Sequence, residues 1–78
     1  MYTVYIIQCA DSTLYTGIAR DLEKRLAMHR AGTGSKYVRT RLPFELVYSE
    51  QSKNRSKASK REAKIKKMDR EEKIKLFT

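Results

Sequence analysis

Cysteine, proline and acidic side chains are scarce in this chain of 78 residues. Cys9 stands alone, which excludes an intramolecular disulfide and any multi-cysteine metal site, so a reducing compartment, the cytoplasm, is the simplest address. Long apolar runs are absent as well. Val4-Tyr5-Ile6-Ile7, the longest near the start, is too short for a signal core or a membrane span, and no membrane partner is expected. Acids number 9 against 18 Lys and Arg, a net charge of +9 that favours a polyanion, with nucleic acid the first candidate. Neither a repeat nor a linker is visible. A chain this short holds one core, so residues 1–78 read as a single domain with no room for a separate specificity domain.

What the chain does contain is patterned. Tyr2 to Cys9 is mostly aromatic and β-branched, and Leu14 to Ala19 resumes after the small, polar Ala10-Asp11-Ser12-Thr13, the signature of a β-hairpin. Asp21 is placed to cap a first helix over about residues 21–31, with Leu22, Leu26 and Ala27 as its apolar positions and Gly32 and Gly34 ending it. Residues 31–43, which hold Lys36, Arg39 and Arg41 and follow Arg30, read as an exposed basic loop able to touch phosphate. Phe44, Leu46 and Tyr48 alternate with Glu45, Val47 and Ser49, the period of a half-buried strand. Ser52 to Lys67 reads as a helix with Ala58 and Ile65 two turns apart, and Asp69 with Glu72 resembles a capping box opening a last helix through Phe77. The order is ββαβαα, an α+β arrangement. Residues 1–51 carry 7 basic and 5 acidic side chains and residues 52–78 carry 11 and 4, so the C-terminal third holds most of the positive field.

Cleavage of a phosphodiester needs a nucleophile, a proton acceptor, positive charge at the phosphate and usually a metal. The acids before the tail show no cluster suited to two metals. Glu62 lies one turn from Ala58 and from Ile65, beside the inward stripe of its helix; a carboxylate there reads either as an ion-pair partner or as a metal ligand. Arg25 and His29, four residues apart, share a helical face, where both are able to point at one phosphate or to remain ordinary surface or core-edge side chains. Tyr5 and Tyr15 taken singly suit a pleated, half-buried surface and no more. Cys9, with no evident base beside it, reads as a small buried hydrophobe.

Taken jointly, these residues form a pattern. Thr3-Val4-Tyr5, nine intervening residues, Tyr15-Thr16-Gly17 and then Arg25, eight positions after the glycine, resemble the signature of the GIY-YIG nuclease family, and Glu62 extends the match. The chain looks most like the small stand-alone bacterial members, which carry Tyr-Thr-Gly as the second triplet and a His four after the Arg. Thr3 stands in place of the first glycine, and Ile18 stands where some relatives have a lysine. No polar residue replaces the one some members use downstream of the metal ligand. The resemblance implies a three-stranded antiparallel sheet flanked by helices, and metal-dependent endonuclease activity on nucleic acid, DNA in preference to RNA, with little base specificity. It also implies roles. Tyr5 would accept a proton from, or position, the attacking water, with Tyr15 beside it; Arg25 would stabilise charge on the phosphate; His29 would assist proton transfer; Glu62 would hold Mg²⁺ or Mn²⁺.

Lys36, Arg39, Arg41, Lys60, Lys64 and Lys67 are the expected nucleic-acid contacts. With an ordinary pKa of roughly 10, Tyr5 would need Arg25 or the metal to favour its phenolate. Both tyrosines must also share one sheet face. A three-residue loop Ala10-Asp11-Ser12 achieves this, setting Tyr5 opposite Gly17 with open space above the glycine and Val4, Ile6, Leu14 and Ile18 on the other face; a two-residue turn would separate the tyrosines. The competing reading is a non-catalytic basic module that binds nucleic acid through its helices and loop.

Overall fold

The computed structural model describes residues 1–78. Three strands, β1 (Tyr2–Cys9), β2 (Leu14–Ala19) and β3 (Phe44–Ser52), form one antiparallel sheet in the order β2-β1-β3. The helices are α1 (Leu22–Arg30), α2 (Lys36–Arg39), α3 (Arg55–Lys66) and α4 (Arg70–Lys75). This is the expected α+β order with one short helix, α2, added. No helix is long and apolar enough to cross a membrane.

Alternation along β1 gives the molecule two cores. Tyr5 and Ile7 face one way and pack with Ala19, Leu26 and Val38, under α1 and α2. Val4 and Ile6 face the other way and pack with Ala58 and Ile65 of α3, joined by Met68, Leu76 and Phe77. The β1–β2 turn fixes this register. Cys9 N–H donates to the Thr13 carbonyl and Ser12 N–H to the Cys9 carbonyl, both at 2.9 Å, and Ser12 takes a φ of 70°, so the loop is the three-residue Ala10-Asp11-Ser12. Asp11 Oδ1 braces it by accepting from both the N–H and the hydroxyl of Thr13. Tyr5 lies opposite Gly17 and Ile7 opposite Tyr15, as the three-residue loop requires. Cys9 is buried, and burial pushes its thiol pKa up.

The caps follow the sequence. Asp21 accepts from Lys24 N–H and Asn54 from Lys57 N–H, and Asp69 with Glu72 forms a complete capping box. Three details depart from expectation. In α1, His29 rather than Ala27 takes the inward place beside Leu26, and Ala27 is exposed. In β3 the simple alternation fails, because Leu46 pairs with Ile7 and Tyr48 with Ile6, leaving Val47 as an extra residue in a bulge. Phe44 therefore packs with the Tyr5 core, whereas Val47 and Tyr48 pack with the Val4 core. β3 also continues to Ser52, so α3 begins at Arg55 and not at Ser52.

Candidate active site

Tyr5 and His29 meet inside the α1-side core. Tyr5 is fully buried and His29 is 1% exposed, and Tyr5 Oη lies 2.9 Å from His29 Nε2. The central strand supplies the phenol, and the helix clipped on by Asp21 supplies the imidazole. Burial first, and then the positive charge of Arg25, push the His29 pKa below its ordinary value, so the ring is neutral at pH 7. With the imidazole proton on Nδ1, Nε2 is the acceptor of the Tyr5 O–H. Tyr15 leans on both partners, its ring 6.5 Å from that of Tyr5 and 5.6 Å from that of His29. Phe44 closes the far side, edge-on to His29 at 5.9 Å.

Two of the three glycines make room for this pair. A Cβ at Gly17 would lie 2.6 Å from Tyr5 Oη, so the space expected above that glycine is filled by the tyrosine itself. A Cβ at Gly34 would lie 2.7 Å from His29 Nδ1, an atom that is buried and has no hydrogen-bond partner. Gly34 had read only as a helix terminator.

Arg25 sits half-buried at the mouth of the site and reaches the Ile18 carbonyl at 3.5 Å. Glu62 belongs to α3, which packs on the opposite side of the sheet. Its negative charge nevertheless reaches the Tyr5 phenol, as the weakest of the influences on that group. The Tyr5 pKa is pushed up to about 12, by burial first and then by Tyr15, with Glu62 adding a little; Arg25 opposes them by its charge and its donors. Arg25 thus acts in the expected direction, but alone does not make the phenolate favourable. Glu62 is 22% exposed along its side chain and pairs with Lys66 at 3.5 Å. The ion-pair reading thus holds in part, since Lys66 is itself exposed and leaves the carboxylate reachable. No cluster of three or more His, Cys, Asp or Glu side chains exists. A lone carboxylate with no thiolate or imidazole beside it suits a hard, largely hydrated ion such as Mg²⁺.

The basic positions divide. Lys36 and Arg39 are exposed, but on the one-turn helix α2 anchored by buried Val38, not on an open loop. The Arg41 guanidinium is already engaged: its Nε pairs with Asp11 Oδ2 at 3.1 Å, its Nη1 donates to the Tyr37 carbonyl, and its plane lies 3.8 Å over the Tyr37 ring. Arg41 is thus a brace between the hairpin turn and α2 as well as an expected phosphate contact. Tyr37 continues the aromatic row, stacked on Tyr15 at 5.8 Å. Lys60, Lys64 and Lys67 are exposed, and their helical spacing turns them away from Ala58, Ile65 and the sheet. A groove beside Arg25, lined also by Arg20, Asp21, Lys24 and Met28, was not foreseen. The i, i+4 spacing of Arg20 and Lys24 was its only sequence signal.

Comparison with known proteins agrees with this architecture. The family model described as the GIY-YIG catalytic domain matches residues 1–75. A UPF0213 protein of Staphylococcus saprophyticus is 47% identical over 75 residues, covering 96% of this chain and 92% of the relative. One of Halobacterium salinarum is 44% identical over 77 residues, covering 99% and 100%. The solution NMR structure of a UPF0213 protein from Bacillus halodurans superposes with a TM-score of 0.62 at 36% identity, over 97% of this chain and 82% of that one.

Proposed function

The chain belongs to the GIY-YIG catalytic-domain family, a family of nucleases, and from that premise we propose that it is a divalent-metal-dependent endonuclease. Its substrate is nucleic acid, DNA in preference to RNA, cut with little base specificity. The observation that carries the proposal is the buried Tyr5–His29 pair at 2.9 Å, placed under Arg25 and within electrostatic reach of Glu62. A packing role alone does not call for a neutral imidazole aimed at a phenol in this position.

The proton path follows from the two shifted groups. Moving a proton outright from a phenol pushed up to about 12 to an imidazole held below its ordinary value is strongly uphill. The chain therefore works better as a relay. The Tyr5 oxygen accepts a proton from the attacking water as it passes its own proton to His29 Nε2, so no free phenolate forms. The water oxygen bonds to phosphorus, the leaving oxygen departs with the bond electrons, and His29 ends as imidazolium. Arg25 stabilises the charge that builds on the phosphate oxygens. Tyr15 excludes water and holds the Tyr5 ring. Glu62 would hold Mg²⁺ or Mn²⁺, which would supply positive charge to the reacting phosphate.

The test is a cleavage screen with Mg²⁺ over single-stranded, flapped, branched and duplex DNA and RNA, with EDTA as the blank. Metal-dependent cutting by the wild type, lost in Glu62→Gln, is the expected result. Binding without cutting on every substrate would overturn it in favour of a non-catalytic nucleic-acid-binding module.

A further inference from the structure

We infer that Gly34 is a positioning residue for the Tyr5–His29 pair: the lack of a side chain there lets the His29 ring sit with Nε2 against the Tyr5 hydroxyl.

The argument rests on what a single methyl group would meet. A Cβ at Gly34 would stand 2.7 Å from His29 Nδ1, 3.1 Å from His29 Cε1 and 3.0 Å from the His29 backbone nitrogen. Two of these atoms belong to the ring and one to the backbone of α1. Neither partner has room to yield. The ring is fenced edge-on by Tyr5 at 6.0 Å, Tyr15 at 5.6 Å and Phe44 at 5.9 Å. The loop is clipped to the end of α1, because the Thr33 and Gly34 N–H groups both donate to the Met28 carbonyl, at 2.9 and 3.2 Å, and the Thr33 hydroxyl adds a third bond to it at 3.2 Å.

The neighbouring glycine separates two reasons for lacking a side chain. Gly32 has a φ of +80°, and its Cβ would meet only the flexible Arg39 side chain, so backbone conformation is what requires glycine there. Gly34 is not in the left-handed region, and alanine would adopt its backbone without strain. Its only steric conflict is with His29. An added methyl group therefore pushes the ring along the line from Nδ1 towards Nε2 or tilts it. Displacement or tilt of the ring spoils the alignment of the 2.9 Å hydrogen bond.

His29 is the only histidine, so its imidazole gives one unambiguous set of ¹⁵N signals. In the wild type Nε2 should show the shift of a hydrogen-bond acceptor. Gly34→Ala should lose that signature, and Gly32→Ala should keep it while lowering the melting temperature. The kinetic arm rests on the nuclease reading: Gly34→Ala should lower kcat by on the order of 10²-fold, as His29→Ala should, with KM little changed. A double-mutant cycle covers the case in which Gly34→Ala folds poorly. Removing the ring leaves only the 3.0 Å approach to the His29 backbone nitrogen, so Gly34→Ala should cost less melting temperature in a His29→Ala background than in the wild type. An unchanged imidazole signature in Gly34→Ala, or an equal loss of stability with and without His29, would overturn the inference. If the wild type cuts nothing, the nuclease reading fails, and the spectrum and the cycle still decide the role of Gly34.

Discussion

Tyr5 illustrates how little one side chain means until its neighbours are known. A tyrosine in a strand is ordinary, and only its hydroxyl, aimed at His29 over a glycine, distinguishes it. Tyr5→Phe keeps the ring and removes the proton relay, so cleavage should disappear while affinity for substrate remains. It also leaves His29 Nε2 buried without a donor, which should cost about 1–3 kcal/mol, a fall of several degrees in melting temperature for a chain of this size. Glu62→Gln should likewise abolish turnover and spare binding, because removing a negative charge does not weaken attraction to phosphate. Retained stability would separate it from Tyr5→Phe in the same melting experiment.

The pH dependence of the site follows from His29 alone. The folded chain holds the imidazole pKa below the ordinary value of about 6.5, so the unfolded chain binds the proton first as pH falls. Stability from this group is therefore complete above about pH 6.5 and is lost as pH drops towards the folded value. In the proposed reaction neutral His29 is the acceptor, so turnover should be flat through neutrality and fall only on the acid side of about pH 6.5. The check is the melting temperature from pH 8 to pH 5 in wild type and in His29→Gln. With no second histidine in the chain, a wild-type decline across pH 6.5 to 5 that His29→Gln repeats in full would refute the assignment.

At the scale of elements, the sequence was legible wherever one local rule governed. Asp21 and the Asp69–Glu72 box act through backbone groups three residues away, and each sits where local spacing put it. The hairpin register was legible because only an odd loop puts Tyr5 and Tyr15 on one face. What was hidden depends on contacts distant in sequence. The bulge at Val47 splits Phe44 from Tyr48 to serve two cores, and no pattern within β3 announces which core each residue joins. Arg41 looked like a free cation until the structure brought Asp11, thirty positions away, against it. Glu50 is a third instance: it accepts from Tyr48 at 2.6 Å and from Arg61 at 2.9 Å, tying β3 to the residue before Glu62. Glu50 sets the Tyr48 hydroxyl pKa above its ordinary value and that of Arg61 higher still. Glu50→Ala should cost about 1 kcal/mol, the pair being partly exposed, and should loosen α3 against β3. Weaker Mg²⁺ retention in Glu50→Ala than in the wild type, seen as a higher Mg²⁺ requirement for cleavage, is the expected reading; an unchanged requirement would mean that Glu62 is placed without the clamp.

Across the whole molecule, 29 × 28 × 19 Å in extent, a net charge of +9 guarantees attraction to a polyanion but does not say which face meets it. The structure offers two sets of cations. Lys60, Lys64 and Lys67 lie on the outer side of α3, turned from the sheet, while Arg20 and Lys24 line the groove that contains Arg25. A strand whose phosphate sits under Arg25 passes Arg20 and Lys24 first and reaches the outer lysines only if it bends around the helix. Salt dependence tells direct contact from distant field, because each phosphate neutralised on duplex DNA contributes about −0.9 to the slope of log affinity against log salt. Contact with three or four phosphates would give a wild-type slope of roughly −3. Replacing Arg20 and Lys24 by Gln should flatten that slope by nearly two, the signature of two lost contacts. Replacing Lys60, Lys64 and Lys67 by Gln removes more charge and should lower affinity at low salt, yet flatten the slope by less than about one in total. A slope flattened by nearly three in the lysine variant, with none lost in the groove variant, would move the nucleic acid to the outer face of α3 and away from Arg25.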